Sequence, residues 1–586
     1  MSPRINKTTL ANFFAILRNM GLRYVLFRVG YIILQKSGLQ KLRYPRHIQM
    51  PRCISYARWN KERPPFFFDS RDSITLPRYN DQEIDKLKDE VARIQKGIIL
   101  FFSSIRYNLG NDYDWMTNPL NGYRYSPSVN WSCINDFDPK NGDIKFVWEK
   151  SRFSYLWTIF RYDAVSGSDS SSFVFSEMQD WIDKNPLNYG PNYKCSQEIS
   201  LRVMNWISAL YFYVDSKIFT EDLFIRIMNS MYGQILHVEK NIAFSRIAVR
   251  NNHAITESLL LYTAGVLFPW FPESKRWLTK GKQFLEEEGL YQIYLDGSYI
   301  QHSFNYQRVV AQLYTWALSL ARLNGDSFSN ALNARLAMMK EFMIDFCDKK
   351  TGSMPNHGAN DGALFFPLNR LDYSDYRGVI NALARAVGAK NEYPGDECSE
   401  DCLWLGTSDS SNAQLLPSFN AAPFAGSMLH HNKNASTYPI GGYYLLRNED
   451  TVEIFIRCAS YRNRPFHADN LHCDIKIGPT RIMRDSGTWL YNGPDEEVSW
   501  FSGSSAHNTV TLEQSDQMRR GSRFIWYDWS DAVSATITED VDDIIFSGTI
   551  KAFAHVKTGV THSRTIRLSK RDLELWWKIK SPAGTE

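Results

Sequence analysis

At 586 residues the chain exceeds what one ordinary core holds, so two or three domains are expected. A hydrophobic share of 44% beside 22% charged residues describes a globular protein and excludes a disordered or fibrous one. A formal charge of +4 without an extended Lys/Arg run excludes a typical nucleic-acid binder and leaves room for a modestly basic cleft that takes an acidic substrate.

The first 65 residues form a basic lead-in ending at Arg63-Pro64-Pro65. Within it Gly21–Gln35 is apolar but interrupted by Arg23 and Arg28, too short and too charged to span a bilayer. It reads as a docking helix for the main domain, with a helix lying on a membrane surface as the alternative. No uninterrupted apolar leader with a small-residue cleavage site stands at the N-terminus, and localisation stays open.

Residues 66–407 read as a helical domain. Gln197–Val214 carries Ile199, Val203, Ile207 and Leu210 in a 3.6-residue stripe, and Glu221–His237, Ile255–Phe268, Glu273–Glu288, Arg308–Leu323, Asn330–Cys347 and Tyr376–Ala389 read similarly. Pro269 and Gly325 supply stop signals. Short links imply helical hairpins, which periodicity alone leaves free to stack as a bundle, a solenoid or a toroid. The aromatics are dense, and Trp181, Trp206 and Trp316 fit helix cores better than sugar platforms.

Residues 408–426 shift to Ser, Asn, Pro and Gly and read as a linker. Beyond it, from 427 to 586, the period changes. Gly442–Leu446, Val452–Cys458, Leu471–Ile477, Arg481–Arg484, Thr509–Leu512, Ala532–Ile537, Ile544–Ile550, Thr565–Leu568 and Leu573–Ile579 are strand-like, with a hairpin turn at Gly478-Pro479-Thr480. Such short strands suggest an antiparallel sandwich, truncated at the chain's end. The eight cysteines are scattered and define neither a disulfide framework nor a metal motif.

Chemistry concentrates in two places. The first is Asn251-Asn252-His253, followed by Asp296-Gly297-Ser298-Tyr299 and Asn305-Tyr306-Gln307-Arg308. An amide and a cation can neutralise a carboxylate while His and Tyr move protons, which suits proton removal beside a carboxylate and expulsion of a sugar oxygen. The second is Arg464-Pro465-Phe466-His467-Ala468-Asp469, Arg484-Asp485-Ser486-Gly487-Thr488 and Ser505-Ala506-His507-Asn508-Thr509. His467, Asp485 and His507 form a partial donor set for zinc, or a hydrogen-bonded polar cluster at a sheet end; no short ligand motif joins them.

With these motifs in order the chain resembles the heparinase II/III family of polysaccharide lyases, which includes relatives acting on alginate and oligo-alginate. Asp143-Ile144-Lys145 with Trp148-Glu149 and Arg152, Trp181 through Pro186, and Glu198 with Arg202 carry the resemblance further. It implies an incomplete α/α toroid followed by an antiparallel β-sandwich, with a cleft between them, and β-elimination on a 4-linked uronic-acid polysaccharide. It further implies Asn252 on the substrate carboxylate, His253 and Tyr306 sharing the proton transfers, and an architectural zinc ion on His467, Asp485 and His507. Glu198, Arg202, Glu257, Arg308, Arg464 and Tyr491 are the candidate substrate contacts. As a base, Tyr306 would need its reference pKa of about 10 lowered, to which Arg308 could contribute. Many catalytic relatives carry a His where this chain has Pro465; Arg464 or Arg250 are the candidates to replace it.

Two other readings stand beside the lyase. One is a hydrolase on the same scaffold, with paired carboxylates drawn from Glu198, Glu257 and Asp296. The other is a weakly active glycan-binding accessory of polysaccharide synthesis or export. The oligomeric state is not legible in the sequence.

Overall fold

The computed structural model describes residues 7–51, 54–407, 432–448, 452–488, 493–522, 524–571 and 575–580. The linker expected at 408–426 and the candidate contact Tyr491 lie outside the described residues. Helices begin earlier than residue 66. α1 (Lys7–Lys36), kinked at Gly21, α2 (Leu39–Arg43) and α3 (Tyr56–Glu62) occupy the lead-in. α4 (Asp81–Gln95) and the hairpin β1 (Ile98–Phe101) and β2 (Ile105–Asn108) follow.

The helical part then runs through α5 (Lys145–Ser151), α6 (Leu156–Ser166), α7 (Ser171–Lys184), α8 (Ser196–Phe212) and α9 (Glu221–Phe244). It continues with α10 (Asn252–Leu267), α11 (Ser274–Gln292), α12 (Phe304–Leu323), α13 (Asn330–Phe346), α14 (Arg377–Ala386) and α15 (Glu400–Trp404). Side-chain oxygens start several of these: Thr220 accepts from the Leu223 N–H, Ser303 from Tyr306 and Ser329 from Leu332. α10 and α11 touch backbone to backbone, because a Cβ at Gly265 would stand 2.3 Å from the Leu278 nitrogen and one at Gly281 2.3 Å from that of Tyr262.

The stripe expected on Gln197–Val214 understates the burial. Every residue of α8 is buried, polar ones included, and α10 and α12 are nearly so. A helix enclosed on all sides is central rather than peripheral. Trp181, Trp206 and Trp316 have no exposed surface and belong to the same core. Each such side chain contributes about 1.5–3 kcal/mol of burial or more.

Two larger antiparallel sheets form the C-terminal part. One has the order β3 (Ala435–Tyr438), β4 (Tyr443–Asn448), β5 (Val452–Arg457), β6 (Cys473–Ile477) and β7 (Thr480–Met483). The small pair β8 (Arg519–Arg520) and β9 (Trp526–Tyr527) precedes the other, β10 (Asp531–Glu539), β11 (Asp543–Lys551), β12 (Thr561–Ser569) and β13 (Leu575–Lys580). Alternation along the first sheet sends Leu446, Ile454 and Ile456 into a core shared with Ile544, Phe546 and Leu568 of the second. Their neighbours Tyr443, Leu445 and Phe455 pack on the helical core.

One expected strand fails. Thr509–Leu512 forms only an isolated bridge, Leu512 with Ser515. Side chains hold the segment instead: the Thr509 hydroxyl donates to the Asn470 carbonyl at 2.7 Å, and the Asn508 N–H donates to His472 Nδ1 at 3.1 Å. β3 was not anticipated. Polar links add to the packing of Tyr443, Leu445 and Phe455 at the seam between the halves. The Gly441 N–H donates to Asp296 Oδ2 at 2.8 Å, and Tyr438 and Arg447 both reach Asp345.

Candidate active site

The loop between α9 and α10 prepares the first cluster. A π-turn over Ser245–Val249 ends at Arg250 in the left-handed region, φ 46°, and Asn251 then caps α10 by accepting the His253 N–H at 3.1 Å. This delivers Asn252 and His253 on the first turn of α10, facing a cavity of about 670 Å³. Asn252 is 1% exposed, and neither its amide oxygen nor its amide nitrogen has a hydrogen-bond partner. A buried amide left in this state is costly unless a ligand completes it. The His253 ring places Nδ1 3.8 Å from Cys195 Sγ, and burial pushes its pKa down to about 4. The ring is therefore neutral at ordinary pH and able to accept a proton.

Tyr306, on the first turn of α12, lines the same cavity and donates its phenol proton to Asp361 Oδ2 at 2.8 Å. Asp361 also pairs with Lys145. Burial works to raise the Asp361 pKa, but Lys145 and the phenol hydrogen bond hold it below the usual range. Beside them Arg152 bridges Glu198, at 2.8 and 3.0 Å, and Glu149, at 2.6 Å. Glu149, Arg152 and Glu198 thus form one ion network, and Lys145 and Asp361 a pair, in the same cavity wall.

The sheet half contributes Arg464, Pro465 and Phe466 to the opposite wall. Arg464 donates to the Val249 carbonyl at 2.7 Å and keeps a cation in the cavity beside Pro465. Arg250 does not: its guanidinium lies 3.3 Å from the Tyr291 ring centroid, with Glu288 at 3.6 Å.

Several candidate contacts are corrected. Arg202 is fully buried, stacked 4.0 Å from the Trp181 ring centroid and donating to Gln234 at 2.8 Å, so it braces the core instead of meeting substrate or pairing with Glu198. Arg308 is likewise buried, between Tyr373 and Tyr376, and donates to Asn305 Oδ1 at 2.7 Å; it lies outside the cavity wall. Glu257 reaches the cavity but accepts from the Ser245 hydroxyl at 2.8 Å. Burial raises its pKa well above the carboxylate range, so it is a neutral acid. Asp296 is spent on the seam, holding the Ser298 hydroxyl and the Gly441 N–H.

Behind Phe466 and Thr488 lies the second cluster. His467, Asp469, Asp485 and His507 are buried with donor atoms within 4.8 Å of one another, and His357, His472 and Asp485 make an adjoining group. His507 Nδ1 is 3.1 Å from Asp485 Oδ2, and His357 Nδ1 is 3.4 Å from the same oxygen. Burial lowers the His467 pKa to about 4, whereas Asp485 raises that of His507 against the effect of burial. Both nitrogens of His467 and of His357, and Nε2 of His472 and His507, lack hydrogen-bond partners. Orphaned imidazole nitrogens facing two carboxylates are the donor set a zinc ion takes. Sequence reasoning missed His357 and His472 and did not name Asp469 as a ligand. The close spacing from His467 to His472 was a usable signal; His357 had none, being over a hundred residues upstream.

The model of the heparinase II/III N-terminus matches residues 59–359, more than half of the chain, and that of the heparinase II/III-like C-terminal region matches 430–579. The chain belongs to the heparinase II/III family. A heparin-sulfate lyase of Bacteroides thetaiotaomicron is 22% identical over 473 residues, covering 76% of this chain and 62% of the relative. One of Pedobacter heparinus is 22% identical over 484 residues, covering 79% and 63%. The chain therefore spans a little over three-fifths of the length of these relatives. The crystal structure of heparinase III superposes with a TM-score of 0.57 at 15% identity, over 87% of this chain and 72% of that one, which shows a shared fold. A helical N-terminal part and an antiparallel C-terminal part agree with that likeness.

Proposed function

We propose that this family member is a polysaccharide lyase that cleaves a 4-linked, uronic-acid-containing acidic polysaccharide by β-elimination. The cleft would lie between an incomplete α/α toroid and an antiparallel β-sandwich. The observation that carries the reading is the unpartnered Asn252 amide beside a neutral His253, in one cavity with Tyr306. The heparin-sulfate lyase relatives support the acidic substrate class.

In this mechanism the Asn252 amide donates to the uronate carboxylate, with Arg464 as the nearby cation, and stabilises the charge that develops when C5 loses its proton. His253 takes that proton, a role its neutral ring permits. The C5–H electrons form the C4–C5 double bond, the C4–O4 bond breaks, and Tyr306 protonates the departing O4. Asp361, itself held by Lys145, accepts the phenol O–H at rest and so positions the oxygen, and the O–H turns from Asp361 to O4 as the bond breaks. His467, Asp469, Asp485 and His507 would hold a zinc ion, whose charge would tie together segments that frame the cavity wall. The hydrolase reading is weaker here: Glu198 is tied to Arg152 and Asp296 lies at the seam, so of the three candidates Glu257 has no second carboxylate to work with.

The test is turnover of acidic glycans followed by ultraviolet absorbance of the 4,5-unsaturated uronate, with product masses. Tyr306→Phe should lower kcat by about a hundredfold or more with KM little changed. Cleavage with added water and no chromophore would overturn the elimination, and a fully active Tyr306→Phe would remove the phenol from it.

A further inference from the structure

Helix α1 is inside out. After the kink at Gly21, Leu22, Leu26, Val29 and Ile33 recur at helical spacing and form one stripe, 61%, 63%, 52% and 60% exposed. On the opposite side Tyr24, Arg28 and Tyr31 are half-buried and, with the more exposed Gln35, line the cavity. Tyr31 stacks on Phe244 with ring centroids 4.7 Å apart, and Gln35 donates to the Ser132 carbonyl at 2.7 Å. A helix that served only the fold would bury the aliphatic face and expose the polar one. The apolar surface continues through Phe13 and Phe14 before the kink and Leu39 and Leu42 beyond the helix, all exposed.

Charge identifies the occupant. The first acidic residue of the chain is Glu62, whereas Lys and Arg occur twelve times before it. Arg18, Arg23 and Lys36 are exposed on α1, and Lys41, Arg43 and Arg46 just after it. A second copy joined through this face by two-fold symmetry would set cations against cations. An acidic glycan would meet a stripe of Leu, Val and Ile, which offers no ring for stacking. An anionic lipid surface satisfies both properties, since acyl chains take the stripe and lipid phosphates take the flanking cations. Among the described residues no helix is long and apolar enough to cross a membrane, which leaves α1 lying in the surface plane.

We propose that α1 docks this protein on an anionic membrane surface through the Leu22, Leu26, Val29 and Ile33 stripe. The cavity then sits about one helix diameter, roughly 10 Å, from the lipid. The proposal concerns the outer face of α1 and stands apart from the reaction assigned to the cavity.

The experiment is flotation of the full chain with phosphatidylcholine vesicles, with and without phosphatidylglycerol, at low and high salt. Binding should be about tenfold or more stronger with phosphatidylglycerol and should fall at high salt. The combined Leu26→Glu and Ile33→Glu variant should lose binding while keeping its circular dichroism and melting temperature, because both side chains face solvent. The milder pair Leu22→Ser and Val29→Ser should weaken binding in the same direction. Absence of binding to anionic vesicles, or full binding by both variants, would overturn the proposal. So would sedimentation velocity showing a wild-type dimer that these substitutions dissociate, or retention on heparin beads that they alone abolish.

Discussion

Asn252 and His253 are adjacent, yet their surroundings set them different tasks. The amide is buried without a partner, a state that favours a ligand able to accept from it. The imidazole is half-buried at the cavity wall with a thiol close to Nδ1, and its desolvation keeps it uncharged to about pH 4. Its folded pKa lies below the reference value of about 6.5, so its contribution to stability is complete above that value and is lost as pH falls through about 4. The same titration should place the acid limb of kcat/KM near 4, as a pH–rate profile would show. His253→Gln should remove that limb and lower kcat, while a limb remaining near 6.5 would assign the base elsewhere.

At the scale of elements, the segment 357–362 joins the two clusters. His357 faces the carboxylates of the donor group, and four residues later Asp361 holds the Tyr306 phenol. Gly358, at φ +79°, passes so near the start of α12 that a Cβ would stand 2.1 Å from the His302 carbonyl. Asp361→Asn should free the phenol and leave Lys145 without its carboxylate. We expect kcat to drop about tenfold or more with a smaller change in KM, and the melting temperature to fall, since breaking a buried ion pair costs about 3–5 kcal/mol. Unchanged kinetics would reduce Asp361 to a structural partner of Lys145.

That segment also marks where reading the sequence stopped. The periodic helices from α8 to α14 were legible because apolar spacing reports burial directly, and the polar motifs stood out because their residue types suit one chemistry. Arg202 and Arg308 show what spacing hides. Each sits beside candidate site residues in the chain, but the helix turns its side chain into the core, where Trp181 or the Tyr373 and Tyr376 rings stack on it. His357 and Asp361 carry no periodic signal, since a loop's placement depends on contacts distant in sequence. Thr509–Leu512 failed as a strand because local turns take its backbone: the Thr509 N–H donates to the His507 carbonyl and the Leu512 N–H to that of Ser515.

For the whole molecule, the donor cluster draws on a helical-part loop through His357 and on the sheet part through His467, Asp469, Asp485 and His507. An ion bound there would act as a further cross-link between halves already joined by the packing of Tyr443, Leu445 and Phe455 on the helical core and by hydrogen bonds and ion pairs. Chelation of the purified protein should lower its melting temperature by about 5 °C or more, restored by zinc, with metal analysis reporting the ion released. A melting temperature indifferent to chelator and to added zinc would leave the cluster as a hydrogen-bonded group.

The family match begins at residue 59, but Tyr24, Arg28, Tyr31 and Gln35, which close one side of the cavity, all precede it. If the cavity takes a glycan as proposed, side chains before residue 59 would help shape what it admits, while Asn252, His253 and Tyr306 lie within the matched region.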